Sequence, residues 1–187
     1  MRVFTVTALL ALALGGCASV PPAPRTAIEP QFPAAWVMQG RIGVQSGEQS
    51  VSGQIHWRHR AETDEVLMTS PLGQGVARIV RDAAGVALEV PNQPVRRAPD
   101  ADTLTREALG YALPVAGLTW WVQARPDPGQ AFNATRDAAG RLVQLRQDGW
   151  VIDYLQYADD SSARSRKLVV TREGLEIRLV ADSWQVE

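Results

Sequence analysis

From Trp36 to the C-terminus, apolar and polar residues alternate with a period of two, in short runs separated by Gly- and Asp-containing turns. This pattern most constrains the fold, because alternation puts one side chain in two on each face of a strand. Trp36, Met38, Ile42 and Val44 share a face against Gln39, Arg41 and Gln45. Val51, Ile55 and Trp57 likewise oppose Ser52, Gln54, His56 and Arg58. Further segments of this kind run over 64–70, 75–81, 86–91, 131–137, 141–147, 150–157, 166–171, 175–180 and 183–186. The expectation is a mainly β domain, an antiparallel meander of about eleven strands with one apolar and one solvated face. The pentapeptide Arg-Asp-Ala-Ala-Gly occurs at 81–85 and again at 136–140 and reads as a reused hairpin turn. Asp148-Gly149 is another hairpin signal.

Two short helices interrupt the strands. Asp100 or Asp102 caps the first, which runs through Leu109 with Gly110 at its C-terminal end. Pro114 opens the second, which runs to about Gln123. Neither is long enough to be stable alone, so each must lie on an apolar surface, and the apolar sheet face is available.

The N-terminal segment is an address. Arg2 precedes the apolar run Val3–Leu14, and Leu14-Gly15-Gly16-Cys17 follows. Twelve residues make a helix of roughly 18 Å, short of the ~30 Å hydrocarbon core, so residues 1–16 read as a signal peptide. The small residues before the chain's one Cys resemble a bacterial lipobox, which implies cleavage before Cys17 and N-acyl and S-diacylglycerol groups on it. Ala18 stands where Asp would favour inner-membrane retention, so the expected address is the outer membrane. Residues 17–31, with Pro21, Pro22, Pro24 and Pro30, form a tether reaching at most about 45 Å at ~3.1 Å per residue. Residues 32–187 form a single domain.

Catalytic signatures are missing. The one Lys, Lys167, is followed by Leu168, so no phosphate-binding loop of the Gly-Lys-Ser/Thr kind occurs, and there is no Gly-x-Ser-x-Gly elbow. His56 and His59 fall on opposite faces of a strand and read as solvated, as do the carboxylates Glu62, Asp64, Glu65, Asp159 and Asp160. One Cys and two His argue against structural zinc and disulfides. A formal charge of −1 argues against a nucleic-acid partner. No enzyme, metal or cofactor is expected, beyond the covalent lipid on Cys17.

Six Trp and two covering helices suit an apolar cavity with a lid. In the Ser70-Pro71-Leu72-Gly73-Gln74-Gly75 loop, Leu72 is a lone large apolar residue among turn formers. It either tucks back into the core or projects, where touching a bilayer contributes about 1.5–3 kcal/mol. The lipobox, Gly40-Arg41-Ile42, the Ser-Pro-Leu-Gly loop, the run from Gly110 through Leu113-Pro114 and Leu118 to Trp120-Trp121, Gln147-Asp148-Gly149-Trp150-Val151-Ile152-Asp153-Tyr154, and Trp184 occur in an order that resembles the outer-membrane lipoprotein receptor LolB family. Two departures stand out. Ala124 lies where the family usually has Gly, and Arg164-Ser165-Arg166-Lys167 lies where a Pro is common.

The resemblance implies an open half-barrel sheet whose concave apolar face is covered by helices. It also implies a monomer, lipid-anchored in the outer membrane and facing the periplasm. A soluble carrier of the LolA kind would hand it triacylated lipoproteins, which pass to the inner leaflet of the outer membrane without ATP. By motif match Leu72 assists that delivery. The expected acyl-chain lining is Met38, Ile42, Ile55, Trp57 and Met68 from the first strands, Leu118 and Trp121 from the lid, and Leu145, Trp150, Ile152 and Tyr154 from the later strands. The competing expectation is a structural or assembly-accessory lipoprotein without a lipid cavity. Arg96-Arg97 suits a carrier-facing patch and a solvated loop equally.

Overall fold

A computed structural model describes residues 33–158 and 164–187. Cys17 and its tether, and Asp159 and Asp160, lie outside the described residues. The first half of the sequence folds into β1 (Ala35–Ser46), β2 (Gln49–Arg60), β3 (Thr63–Thr69), β4 (Gly75–Asp82), β5 (Gly85–Glu89) and β6 (Arg96–Ala98). Helices α1 (Ala101–Leu109) and α2 (Val115–Trp121) follow. The second half supplies β7 (Phe132–Arg136), β8 (Leu142–Gln147), β9 (Trp150–Tyr157), β10 (Ser165–Arg172) and β11 (Leu175–Val186). All pair antiparallel in one sheet of order β6-β5-β4-β3-β2-β1-β11-β10-β9-β8-β7.

Two wings therefore meet at the central β1–β11 pair, and the outermost strands β6 and β7 are neighbours in sequence. The connection between them has to travel from one edge of the sheet to the other. That places α1 and α2 across the apolar face. The helices form where they do for local reasons: Asp100 caps α1 by accepting the Thr103 N–H at 2.7 Å, and Gly110 closes it at φ 85°. In and just beyond α2, Val115, Leu118, Thr119 and Val122 are buried at helical spacing.

The strand count agrees with the sequence reading, but its makeup differs. Residues 175–186 form one strand rather than two. The β1–β11 register shifts between Gln39 and Gly40, leaving Asp182 without a partner across the ladder. The extra residue resets the alternation, which is why the period-2 pattern breaks between 180 and 183. A Cβ on Gly40 would meet the Val180 carbonyl oxygen, so the close approach at this bulge needs glycine. The strand that was missed, β6, is three residues long and mostly charged. Finally, α2 stops at Trp121 rather than Gln123, and Ala124 takes the left-handed φ of 54°.

Candidate functional site

The eleven residues expected to line an acyl cavity all belong to one buried cluster beneath the helices. Met38, Trp57 and Ile152 are inaccessible or nearly so, and Leu118 and Trp121 come down onto them from α2. This corrects the expectation of a standing hollow: the space between sheet and helices is filled by the protein's own side chains. Their shared face was legible, whereas an empty volume on that face depends on how far the helices settle, which alternation does not encode.

The filled interior contains unsatisfied donors. Trp36 Nε1, Trp150 Nε1 and the Tyr154 hydroxyl are buried with no hydrogen-bond partner among the described residues. Such groups are rare in a permanent core and call for an explanation.

Two buried polar groups fasten α2, one on each wing. On the first wing Asp64 points inward in phase with Val66 and Met68, and its side chain is fully buried. Its Oδ1 accepts from Trp57 Nε1 and His59 Nδ1, each at 2.9 Å. Its Oδ2 accepts from Arg81 Nε at 2.9 Å, from Arg81 Nη2, and from the Thr119 hydroxyl of α2 at 3.2 Å. Burial pushes this carboxyl up in pKa. The His59 hydrogen bond, the Arg81 charge and the Trp57 indole outweigh it and hold Asp64 below the ordinary carboxylate range. His59 is itself buried and stacks on Trp36 with ring centres 5.2 Å apart.

Asp64 and His59 thus correct the reading of both as solvated residues. Glu65, by contrast, stays partly exposed and pairs with Arg78 at 2.8 Å. On the other wing Gln147 is buried at the end of β8. Its Oε1 accepts from Trp121 Nε1 and the Asp127 N–H, both at 2.9 Å, while Nε2 donates to Asp127 O at 2.8 Å. Sequence reasoning missed both groups. The available signal was phase: Asp64 keeps the inward register of Val66 and Met68, and Gln147 that of Leu145.

The ends of the sheet carry two further features. At the turn between β3 and β4, Leu72 is 89% exposed. Ser70 N–H donates to Gln74 O at 2.7 Å and Gly73 N–H to Ser70 O at 2.8 Å, and Gly73 sits at φ 82°. A hydrogen-bonded loop thus holds the leucine outward, which decides between its two readings in favour of projection. At the opposite end a cleft of about 610 Å³ opens between α2 and the β2–β3 and β4–β5 turns, lined by His59, Arg81, Thr119, Trp120, Gln123 and Arg125 among others.

Comparison with known proteins agrees with this picture. The family described as Outer membrane lipoprotein LolB matches residues 34–184. An outer-membrane lipoprotein LolB of Thiobacillus denitrificans is 63% identical, covering 99% of this chain and 98% of that one. That of Ralstonia nicotianae is 39% identical, with 90% of each chain covered. Among solved structures, a DUF1329 family protein from Desulfovibrio piger shares the fold alone, with TM-score 0.54 and 6% identity over 83% of this chain and 86% of that one. A LolA superfamily protein from Nitrosomonas europaea aligns with TM-score 0.48 and 11% identity, over 85% and 89%. With a family match over nearly all of the β domain, and relatives that span the chain almost end to end, this chain belongs to the outer-membrane lipoprotein LolB family.

Proposed function

We propose that the protein receives triacylated lipoproteins from a soluble periplasmic carrier and passes them to the inner leaflet of the outer membrane, anchored there through acylated Cys17 and making or breaking no covalent bond in its cargo. Exposing acyl chains to water costs about 0.8 kcal/mol per CH₂, so three long chains amount to tens of kcal/mol and demand shelter at every step. Direction then comes from differential affinity, with the carrier weaker and the bilayer most favourable.

Loading requires α2 to lift. The burial given up by Val115, Leu118, Trp121 and Val122 is about 1.5–3 kcal/mol each, and the hydrogen bonds from Thr119 to Asp64 and from Trp121 to Gln147 add about 1–3 kcal/mol each, still below what sheltering three chains returns. The observation that carries the reading is Leu72, a large apolar side chain held in solvent by a hydrogen-bonded loop at the end of an apolar-faced sheet. The unpaired Trp150 Nε1 and Tyr154 hydroxyl support it, since the ester and amide carbonyls of a triacylated head would satisfy them.

The filled interior favours one other reading, a structural lipoprotein that binds no lipid. The two separate in a transfer assay with purified components: lipoprotein-loaded carrier is mixed with this protein without nucleotide. Movement of cargo onto the protein, and displacement of a fluorescent fatty-acid probe from it, are expected. Failure of both would establish the structural reading instead.

A further inference from the structure

The cleft at the end of the sheet remote from Leu72 is left unused by a reading in which acyl chains lie under α2 and leave past Leu72. Its floor is continuous with the interior, because His59 and Thr119 face the cleft and also bind Asp64 beneath it. Its side wall is Trp120, whose ring carries the Arg125 guanidinium 4.3 Å from its centre. At the back sits Gln123, 4% exposed. Its Nε2 donates to Thr119 O at 2.7 Å, which fixes the amide's orientation and leaves Oε1 a buried acceptor with no partner among the described residues. An orphan carbonyl of this kind calls for an N–H.

We infer that this cleft binds the polypeptide segment that follows the cargo's lipidated cysteine, with Gln123 Oε1 accepting a cargo backbone N–H and Trp120 packing along the chain. The inference rests on the proposed lipoprotein-receiving role. A triacylated lipoprotein is an acyl body with a peptide leaving one end, and the molecule offers an apolar interior that opens at one end onto a polar groove. The volume, about 610 Å³, lies within the range of ligand sites of ~300–1,000 Å³. The charges argue for a neutral peptide and against an anionic lipid headgroup. Arg81 is bound to Asp64, Arg125 lies on Trp120, and Glu62, Asp82 and Asp127 also line the cleft.

The test uses the mature chain bearing Cys17→Ala and two probes: tripalmitoyl-S-glyceryl-cysteine amide, and the same molecule extended by five neutral polar residues. The extended probe is expected to bind about fivefold more tightly, the equivalent of one net hydrogen bond. Gln123→Leu should abolish that ratio while leaving the short probe's affinity in place. Trp120→Ala, on the wall of the cleft rather than at its back, should reduce the ratio without depending on how Gln123 tolerates replacement. Equal affinities for the two probes, or a ratio unchanged in both variants, would overturn the cleft assignment and leave the receiving role standing. If glycerol 3-phosphate cancels the difference where the unacylated five-residue peptide does not, the cleft is a headgroup site and the inference is wrong. If neither probe binds, the receiving role fails and the cleft assignment with it.

Discussion

Leu72 at one end of the sheet and the cleft at the other are built from opposite materials. The first is an apolar side chain held in water by a five-residue hydrogen-bonded loop. The second is a polar groove whose floor, His59 and Thr119, rests on a buried carboxylate with five donor contacts. A residue like Leu72 can change partner without cost to the fold, whereas any change at the Asp64 cluster, which ties the lid to the sheet, carries a cost in stability. The difference shows how one small domain separates a face that meets its surroundings from a region that holds its moving parts.

The largest effect should come from breaking the polar end. Asp64→Ala leaves the buried His59 and Trp57 donors and the half-buried Arg81 around an empty site, and a loss of about 3–5 kcal/mol in denaturant unfolding is expected. At the other end Leu72→Glu should leave unfolding within about 0.5 kcal/mol of the parent. Insertion of cargo into liposomes should nevertheless fall, by roughly ten- to a hundredfold if the whole ~1.5–3 kcal/mol of membrane contact is lost. Equal unfolding penalties for the two variants would erase the contrast.

Acid probes the same contrast. Because the folded-state pKa of Asp64 is depressed, its contribution to stability is present above the unfolded carboxylate value of about 3.9 and is lost as pH falls through the lower folded value. Tryptophan fluorescence followed from pH 6 to 2 should report that loss. Asp64→Asn should flatten the acid limb while Leu72→Glu leaves it unchanged.

Geometry adds a third test. The pairings Arg41↔Gln54 and Gln54↔Thr69 put the root of the Leu72 loop six residues along the strand axis from Ala35, roughly 20 Å at ~3.3 Å per residue, with Leu72 further still. The tether enters at the Ala35 end, so it must be long enough for the domain to turn its far end to the membrane. Deleting residues 22–30 cuts its reach from about 45 Å to about 19 Å. Insertion should drop to the Leu72→Glu level, and a Gly/Ser segment of the original length should restore it. The smallest effect is expected at Ala124, whose φ of 54° suits glycine. Ala124→Gly should raise stability by about 1 kcal/mol in thermal unfolding and leave transfer unchanged.

Much of the fold was legible because alternation reports directly on which side of a strand is wet. Most strands were placed within a residue or two, and both helices were found from their caps. The failures have two causes. The split of β11 followed the change of phase at the bulge, where the exposed Asp182 is the odd residue. The solvated reading of Asp64 assumed that polar means exposed, whereas Asp64 is an inward residue whose charge is met by its neighbours. The eleven lining residues were placed on the right face, but not the closeness with which the helices settle on them.

The repeated pentapeptide marks the boundary between the two kinds of information. Residues 81–85 close a tight turn in which Asp82 pairs with Gly85, whereas residues 136–140 make a wider loop in which the Asp137 N–H reaches Arg141 O. Sequence alone determined that each segment turns, because Asp and Gly satisfy and permit the tight backbone anywhere. It likewise determined the two faces of the strands and the residues that start and stop the helices. Only the tertiary structure decided which hairpin each turn closes, that the segment joining the edge strands crosses the apolar face, and that Asp64 and Gln147 fasten it there. Those outcomes depend on groups far apart in the chain meeting at hydrogen-bond distance, and no local preference specifies such a meeting.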